Sequence, residues 1–401
     1  MKSKVLIVSY SLGNNKSVGG KRWLNFSNYL ASYGHKVFVL ATSRNIDFKN
    51  LDKNIGVNLI RSNYPSILNK NQLNFLEKIL YRLTVIYRLF TIKGSIYDKG
   101  KKLEYNLIKK IKKIVDENNV NNIIVSGAPF SFLYFVTKHF KDKLNIICDF
   151  RDPWSWGIGY GMSNLSSQRI SFEKVCENFV LKNSNYLICA SLDLSFFLNE
   201  KLIVYDKKAI VLINTLNDFT LSKKQINKSE SNGVLSICHV GTIASKTEKY
   251  WMIFLDLIEL SKFEILLNIY GNNNINFYND VKKRDHLKVN FFERIDEKLL
   301  SQKFLSNDIL LLFKMDAFPN SFPTKFFDYI RAQKPIMAFT KKGIFSEEIE
   351  NNKIGQIFNE KSNIDEFDDF LSSFRNINYN NYNFLKFEIS SELQKLNKIL
   401  K

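Results

Sequence analysis

The feature that most constrains this chain is a recurrence of short, almost uninterrupted apolar runs separated by stretches of helical periodicity. Residues 4–9, 36–40, 56–60, 122–126, 144–148, 186–190 and 209–213 have strand length, and apolar spacings of three and four mark helices over 21–33 and 168–182. Strands that are apolar throughout need cover on both faces, and strands joined through helices pair in parallel. The pattern therefore predicts doubly wound α/β layers. After Asn214 it breaks into a polar stretch, 221–233, that carries Lys223, Lys224, Lys228, Ser229, Ser231 and Asn232. A second alternation runs through 234–240, 265–270, 288–292, 308–313, 335–339 and 354–358.

The length of 401 residues is about two to three times a common domain size, which fits two such domains. The expected division is an N-terminal domain 1–218, a linker 219–232, a C-terminal domain 233–378 and a closing segment 379–401. In that last segment Leu385, Phe387, Ile389, Leu393, Leu396 and Ile399 partly share one helical face, so it should pack on the body.

Several classes are disfavoured early. The first strand begins at Lys4, leaving no room for a secretion signal, and 18 apolar residues never run together without charge. The expectation is a cytoplasmic protein, soluble or peripheral on the inner face of a membrane. Cys148, Cys176, Cys189 and Cys238 lack CxxC spacing and read as reduced core thiols. His35, His139, His239 and His286 are dispersed, so no metal is expected and no cofactor is implied. No Gly-x-Ser-x-Gly elbow and no Walker loop occurs. The formal charge of +19 favours an anionic partner, with a general lysine bias as the competing explanation.

The chemistry-bearing groups fall after strand ends, where open α/β sheets bind ligands. Gly19 and Gly20 come after the first strand and open a helix, so that backbone N–H groups can meet a phosphate or sugar; a plain flexible turn is the competing reading. Ser126-Gly127-Ala128-Pro129 comes after the fourth strand and opens another helix, as a candidate acceptor site. The next strand ends in Asp149-Phe150-Arg151-Asp152-Pro153-Trp154. There Arg151 and Asp152 either bind a sugar hydroxyl and deprotonate an acceptor oxygen, or form a structural pair. The loop 154–161, opened by Trp154, suits an aromatic sugar platform.

In the second domain Gly241-Thr242 ends a strand, and Lys246 and Lys249 lie just beyond, placed either to neutralise a diphosphate or to face solvent. The strongest local signal is Ser321-Phe322-Pro323-Thr324-Lys325-Phe326-Phe327-Asp328, within 321–335. Pro323 suits a first helical turn, and Ser321, Thr324 and Lys325 stand where a helix start favours an anion. Thr324 and Asp328 lie four apart on one face, and a carboxylate there can accept two hydrogen bonds from a ribose diol. A capped helix with a surface Asp is the alternative.

These residues, over most of the chain, resemble bacterial GT-B glycosyltransferases of the family 4 type found in surface-polysaccharide clusters. The likeness rests on Gly19-Gly20, Gly34-His35-Lys36-Val37, Ser126-Gly127-Ala128-Pro129, Asp149-Phe150-Arg151-Asp152-Pro153-Trp154, Asn214, Gly241-Thr242 and Pro323-x-Lys325-x-x-Asp328. It implies two Rossmann-like domains facing a central crevice, and a retaining, metal-independent transfer of a sugar from a nucleotide-sugar; the acceptor expected is a saccharide, polyprenyl-linked where the basic segment 65–115 docks on lipid. By that likeness Gly19, Gly20, Lys246, Lys249, Thr324 and Lys325 line the diphosphate and Asp328 holds the ribose. Many relatives carry Glu where this chain has Asp328, and the turn at Asn214 lacks their Asn-Gly.

Between Pro65 and Val115 twelve Lys or Arg meet three acids, interleaved with Phe75, Leu76, Ile79, Leu80, Leu83, Val85, Ile86, Leu89 and Phe90. Such a surface either docks on anionic lipid or packs its apolar face on the first sheet. Two other classes compete. A nucleotide-sugar epimerase of the same fold needs no acceptor, and a nucleic-acid binder rests on charge alone without any recognition motif; nucleic acid is not an expected partner.

Overall fold

The computed structural model describes residues 2–12, 18–42, 48–60, 75–76, 78–80, 82–83, 100, 103–155, 167–215, 234–241, 247–271, 287–293, 295 and 297–401. The expected linker 219–232, Thr242, Lys246, and most of 65–102 lie outside them. All thirteen expected runs form strands. In the first half these are β1 (Lys4–Ser9), β2 (Lys36–Ala41), β3 (Gly56–Leu59), β4 (Asn122–Ser126), β5 (Asn145–Phe150), β6 (Tyr186–Cys189) and β7 (Ala209–Val211). They join in one parallel sheet of order β3-β2-β1-β4-β5-β6-β7. The second half adds β8 (Leu235–Val240), β9 (Ile265–Tyr270), β10 (Leu287–Phe292), β11 (Ile309–Phe313), β12 (Ile336–Phe339) and β13 (Gly355–Phe358). Their parallel order is β10-β9-β8-β11-β12-β13.

Both orders reverse direction at an inner pair, β1/β4 and β8/β11, which is the doubly wound arrangement with its ligand edge at that switch point. Burial tracks strand position. Every residue of β4 and β5 is buried, because helices cover both faces, whereas edge strands β3 and β10 alternate along their length. The two faces of the first sheet carry separate cores, one around Leu6, Ile123 and Ile146 and the other around Val5, Ile124 and Ile147.

The helices are α1 (Val18–Ser32), α2 (Glu104–Asn118), α3 (Phe130–Phe140), α4 (Ser167–Asn183), α5 (Leu192–Leu202), α6 (Glu248–Leu260), α7 (Glu297–Leu305), α8 (Thr324–Ala332), α9 (Ile344–Asn351), α10 (Ile364–Ser373) and α11 (Ile389–Asn397). Their starts are chemically marked. Ser191 caps α5 by accepting from Leu194 N at 3.3 Å, and Asn363 caps α10 by accepting from Glu366 N at 2.9 Å. Among the described residues no helix is long and apolar enough to cross a membrane. The four cysteines are buried and form no disulfide, and burial pushes the thiols of Cys148, Cys189 and Cys238 up to about 12.

Two units result: Met1–Thr215 with Glu388–Lys401, and Leu216–Phe387. The second unit thus runs to Phe387, past the boundary expected at 378, and only the chain from Glu388 onward, with α11, returns to the first. The expected closing helix is split, with a 3-10 turn over Phe384–Phe387 and α11 after it. Ile389, Leu393, Leu396 and Ile399 fill the core beside α1. The chain end is clasped by buried amides, Asn122 Nδ2 donating to Lys401 O and Asn145 Nδ2 to Ile399 O, each at 2.8 Å. Glu392, itself buried, accepts from Ile213 N at 2.9 Å, holding the last stretch of the first unit before the chain leaves it.

Candidate functional site

In the first unit, strand register sets Ser9, Ser126 and Asp149 side by side at the carboxyl ends of β1, β4 and β5. They continue the face of Ile7, Ile124 and Ile147, which α1 and α11 cover. A carboxylate there needs partners, since an isolated buried charge is costly. Asp149 has them. Its Oδ2 accepts from Trp23 Nε1 at 2.7 Å and from Ser126 Oγ at 2.8 Å, and its Oδ1 lies 3.6 Å from Arg22 Nη2. Arg22 also donates to Leu212 O at 2.5 Å, Ile213 O at 2.9 Å and Asn214 Oδ1 at 3.2 Å. Desolvation lowers the Arg22 pKa, opposed by the charge of Asp149.

Arg22 is the residue of this edge that sequence reasoning missed. The signal was present, because Arg22 stands four before Phe26 on the apolar side of α1, where a cation demands a buried anion. Gly19 and Gly20 lie within the first turn of α1 rather than in the loop before it, so their N–H groups belong to the unbonded start of that helix.

Two acceptor-site expectations are corrected. Trp154 is 1% exposed, stacks on Phe130 at 5.2 Å, and donates through Nε1 to Glu173 Oε2 at 2.7 Å. It is a core residue and offers no face to a sugar. The Ser126 hydroxyl is likewise committed, fully buried, to Asp149. Within the Ser126–Pro129 run only Ala128 is exposed. Gly127 holds a close packing position, where a Cβ would come within 3.0 Å of the Phe130 ring, and Pro129 is buried.

Arg151 and Asp152 come directly after β5 and are half-buried. Arg151 Nε donates to Gly127 O at 2.6 Å, joining the ends of β4 and β5. Desolvation raises the Asp152 pKa, with Arg151 opposing and Asp149 reinforcing the shift. A carboxylate of raised basicity at a strand's carboxyl end has the property a general base requires.

The second unit carries its own edge. Gly241 comes directly after β8 with φ +134°, a conformation that disfavours a side chain, and donates its N–H to Tyr270 O at 2.9 Å. Gly271 approaches it so closely that a Cβ there would stand 2.0 Å from Gly241 O. Beside them Tyr270 and Phe292 stack at 4.7 Å across the ends of β9 and β10. Lys249, in the first turn of α6, bonds Asp316 and Glu360, the latter at 2.6 Å; Lys341 Nζ lies 3.4 Å from Asp316, and Tyr250 donates to it at 2.5 Å. Although desolvation alone lowers the Lys249 pKa, its bonds to these carboxylates raise it overall. Lys249 therefore meets any diphosphate only in competition with two acids. Asp316, Lys341 and Glu360 were not foreseen, yet each stands two or three residues beyond a strand end.

At α8 the sequence pattern becomes a surface. Pro323 is the N-cap in extended geometry, and Phe326 N returns to its carbonyl at 2.9 Å. Phe326, Phe327, Tyr329 and Ile330 are buried, whereas Ser321, Pro323, Thr324, Lys325 and Asp328 keep partial exposure. Phe322 stacks on Phe326 at 5.3 Å and meets Phe387 at 5.1 Å, which fixes where the helix begins. The Ser321 hydroxyl donates to Phe318 O at 2.9 Å, and the buried Lys314 ammonium bonds the same carbonyl. Ser321 thus steadies the approach to the helix, and its lone pairs cannot serve phosphate oxygens, themselves acceptors. Among the described residues no group of three or more His, Cys, Asp or Glu could hold a metal ion.

No protein-family model matches this chain. No curated protein matches it either. Solved structures do. A sucrose-phosphate synthase from Thermosynechococcus elongatus is similar over 99% of this chain and 98% of its own, with TM-score 0.66 and 9% identity. A lipopolysaccharide outer core galactosyltransferase is similar over 100% and 99%, with TM-score 0.54 and 14% identity. The UDP-GlcNAc 2-epimerase of Methanocaldococcus jannaschii is similar over 100% and 99%, with TM-score 0.52 and 11% identity. At these identities the likeness establishes the fold, that of the GT-B proteins with two Rossmann-like domains.

Proposed function

We propose that this chain is a glycosyltransferase that moves a sugar from a nucleotide-sugar to a saccharide acceptor, polyprenyl-linked, in cell-surface polysaccharide synthesis. The observation that carries the reading is the accessible stripe Thr324, Lys325 and Asp328 on α8. Its other side is locked into the core, and its first turn presents N–H groups beside a cation. Negative charge develops on the departing diphosphate as the glycosidic bond breaks, so preorganised donors and a lysine there stabilise the transition state more than the ground state. Asp328, one turn along, accepts from the ribose hydroxyls. Gly241, directly after β8 in the same unit, belongs to the same donor proposal, as do the sequence candidates Thr242 and Lys246, which lie outside the described residues; Gly19 and Gly20 are the first unit's own candidates, at the start of α1. Arg151 positions the acceptor, and Asp152 takes its proton. The reaction is retaining and needs no metal.

Peripheral docking on an inner membrane face belongs to the same proposal. Phe75, Leu76, Ile79, Leu80 and Leu83 are between 40% and 77% exposed on the basic segment, which favours lipid contact over packing on the sheet. The fold similarity to a lipopolysaccharide outer core galactosyltransferase agrees with an acceptor that is a cell-surface saccharide.

The similarity to an epimerase keeps a second reading, in which a free nucleotide-sugar is rearranged without an acceptor. Incubating the protein with a labelled nucleotide-sugar, with and without lipid-linked saccharide, separates the two. Release of nucleoside diphosphate that depends on the acceptor is expected. Epimerised nucleotide-sugar formed without acceptor would replace the transferase by the epimerase.

A further inference from the structure

His239 stands one residue before the end of β8, on the face where Leu235 and Ile237 enter the core beneath α6. Its ring is enclosed edge-on by Trp251 at 5.3 Å and by Phe313 at 5.5 Å. Nδ1 lies 3.1 Å from Leu311 O. A carbonyl only accepts, so Nδ1 carries the proton and Nε2 presents a bare lone pair. The same carbonyl accepts the Tyr329 hydroxyl at 3.0 Å, which ties the imidazole to α8.

Nε2 is buried and has no hydrogen-bond partner among the described residues. It faces the glycine turn after β8, since a Cβ on Gly241 would come within 3.8 Å of it. Orphaned buried acceptors are rare in folded proteins and point to something that completes them. Desolvation, reinforced by the charge of Lys325, lowers the imidazole pKa to about 4, so the ring is neutral near pH 7. A phosphate oxygen, an acceptor itself, cannot satisfy it. The complementary group is an O–H or N–H.

The geometry points to His239 as a donor-site residue whose Nε2 accepts a hydrogen bond from a hydroxyl of the bound nucleotide-sugar, beside Gly241 and apart from the phosphates. This rests on the reading of the second unit as the donor site. It assigns the edge two chemistries: Lys325 and the α8 N–H groups meet anionic oxygens, and His239 meets a hydroxyl. With the ribose hydroxyls taken by Asp328, the hydroxyl that meets Nε2 is on the transferred sugar; a nucleoside diphosphate would leave Nε2 unsatisfied, so discrimination between the nucleotide-sugar and its hydrolysed form falls to this ring.

The test uses the full chain labelled with 15N-histidine, His239 being assigned through His239→Gln. UDP-glucose, GDP-mannose and ADP-glucose are titrated, each beside its nucleoside diphosphate. The free protein should show an unprotonated, unbonded Nε2, and the binding nucleotide-sugar should move that signal saturably toward the hydrogen-bonded value. His239→Phe fits the aromatic cage and leaves Leu311 O its bond from Tyr329; it should bind the nucleotide-sugar about tenfold more weakly. His239→Gln, with an amide oxygen near the Nε2 position, should keep most of the affinity. If no probe binds, the donor-site reading falls and this inference with it. If a probe binds while Nε2 stays unmoved, or while His239→Phe binds as tightly as the native protein, only the His239 assignment is overturned. An Nε2 already hydrogen-bonded to water or backbone in the free protein overturns it as well.

Discussion

Replacing Arg22 by methionine is the sharpest probe of the first unit's ligand edge. The substitution keeps most of the side-chain volume and removes the charge that faces Asp149 at 3.6 Å. Arg22 is 5% exposed and Asp149 not at all, so solvent cannot replace the lost partner. Breaking a buried pair on one side costs roughly 3–5 kcal/mol, a large share of the ~5–15 kcal/mol that holds a domain folded. Leu212 O and Ile213 O lose their donors in the same step. Urea unfolding, read by hydrogen exchange in β5 and α1, reports on the first unit separately from the second. Arg22→Met should lower its stability by about 3–5 kcal/mol. Adding Asp149→Asn should restore more than half of the loss, because the amide oxygen still accepts from Trp23 and Ser126. A single-variant loss below about 1 kcal/mol, which is surface-pair behaviour, would refute the argument, as would a double variant no better than the single one.

Asp152, His239 and Asn122 each carry a further expectation. Burial raises the Asp152 pKa, so its carboxyl binds a proton more tightly folded than unfolded; its contribution to stability is greatest at low pH and is lost as pH rises through that raised value. As general base it gives kcat an acid limb above the usual aspartate range, and Asp152→Asn should remove that limb and lower kcat by about 10²–10⁴; unchanged kcat denies the role. His239 titrates oppositely: with its pKa lowered from 6.5 to about 4, stability is complete above 6.5 and is lost as pH falls toward 4, about 3 kcal/mol in all, and a denaturation series in which His239→Phe shows the same acid slope as the native chain would contradict its burial. Asn122→Leu removes the clasp on Lys401, which should cost about 1–3 kcal/mol and speed hydrogen exchange over 389–401; unaltered protection there would make the clasp dispensable.

The strand runs were legible because both sheets are parallel and doubly covered, so apolar character continues along each strand. The return of the chain at Glu388 was not visible, since an amphipathic segment does not say which core it joins. Around the site, rules for strand ends placed Asp149, Asp152, Gly241 and the α8 segment correctly in the fold. What they missed was direction. Trp154 lies beyond β5 and Ser126 ends β4, at the sheet edge where ligand-binding residues stand, yet both turn inward, to Glu173 and Asp149. The partners of Lys249 come from loops after β11 and β13, separations of 67 and 111 residues that no local pattern encodes. Arg22 escapes notice because a charged residue on a helix ordinarily reads as solvated, when its spacing from Phe26 already argues burial.

In the proposed reaction the first turn of α8 holds the diphosphate of a nucleotide-sugar. The most direct measurement is a titration of UDP-, GDP- and ADP-sugars against the native chain and Lys325→Ala, read as melting temperature against ligand concentration. At least one should raise the native melting temperature, by about 2.7 kcal/mol of stabilisation at a hundred times its Kd. Lys325→Ala should melt near the native chain without ligand and lose most of that shift. No shift from any nucleotide-sugar, or an equal shift in Lys325→Ala, would contradict the account.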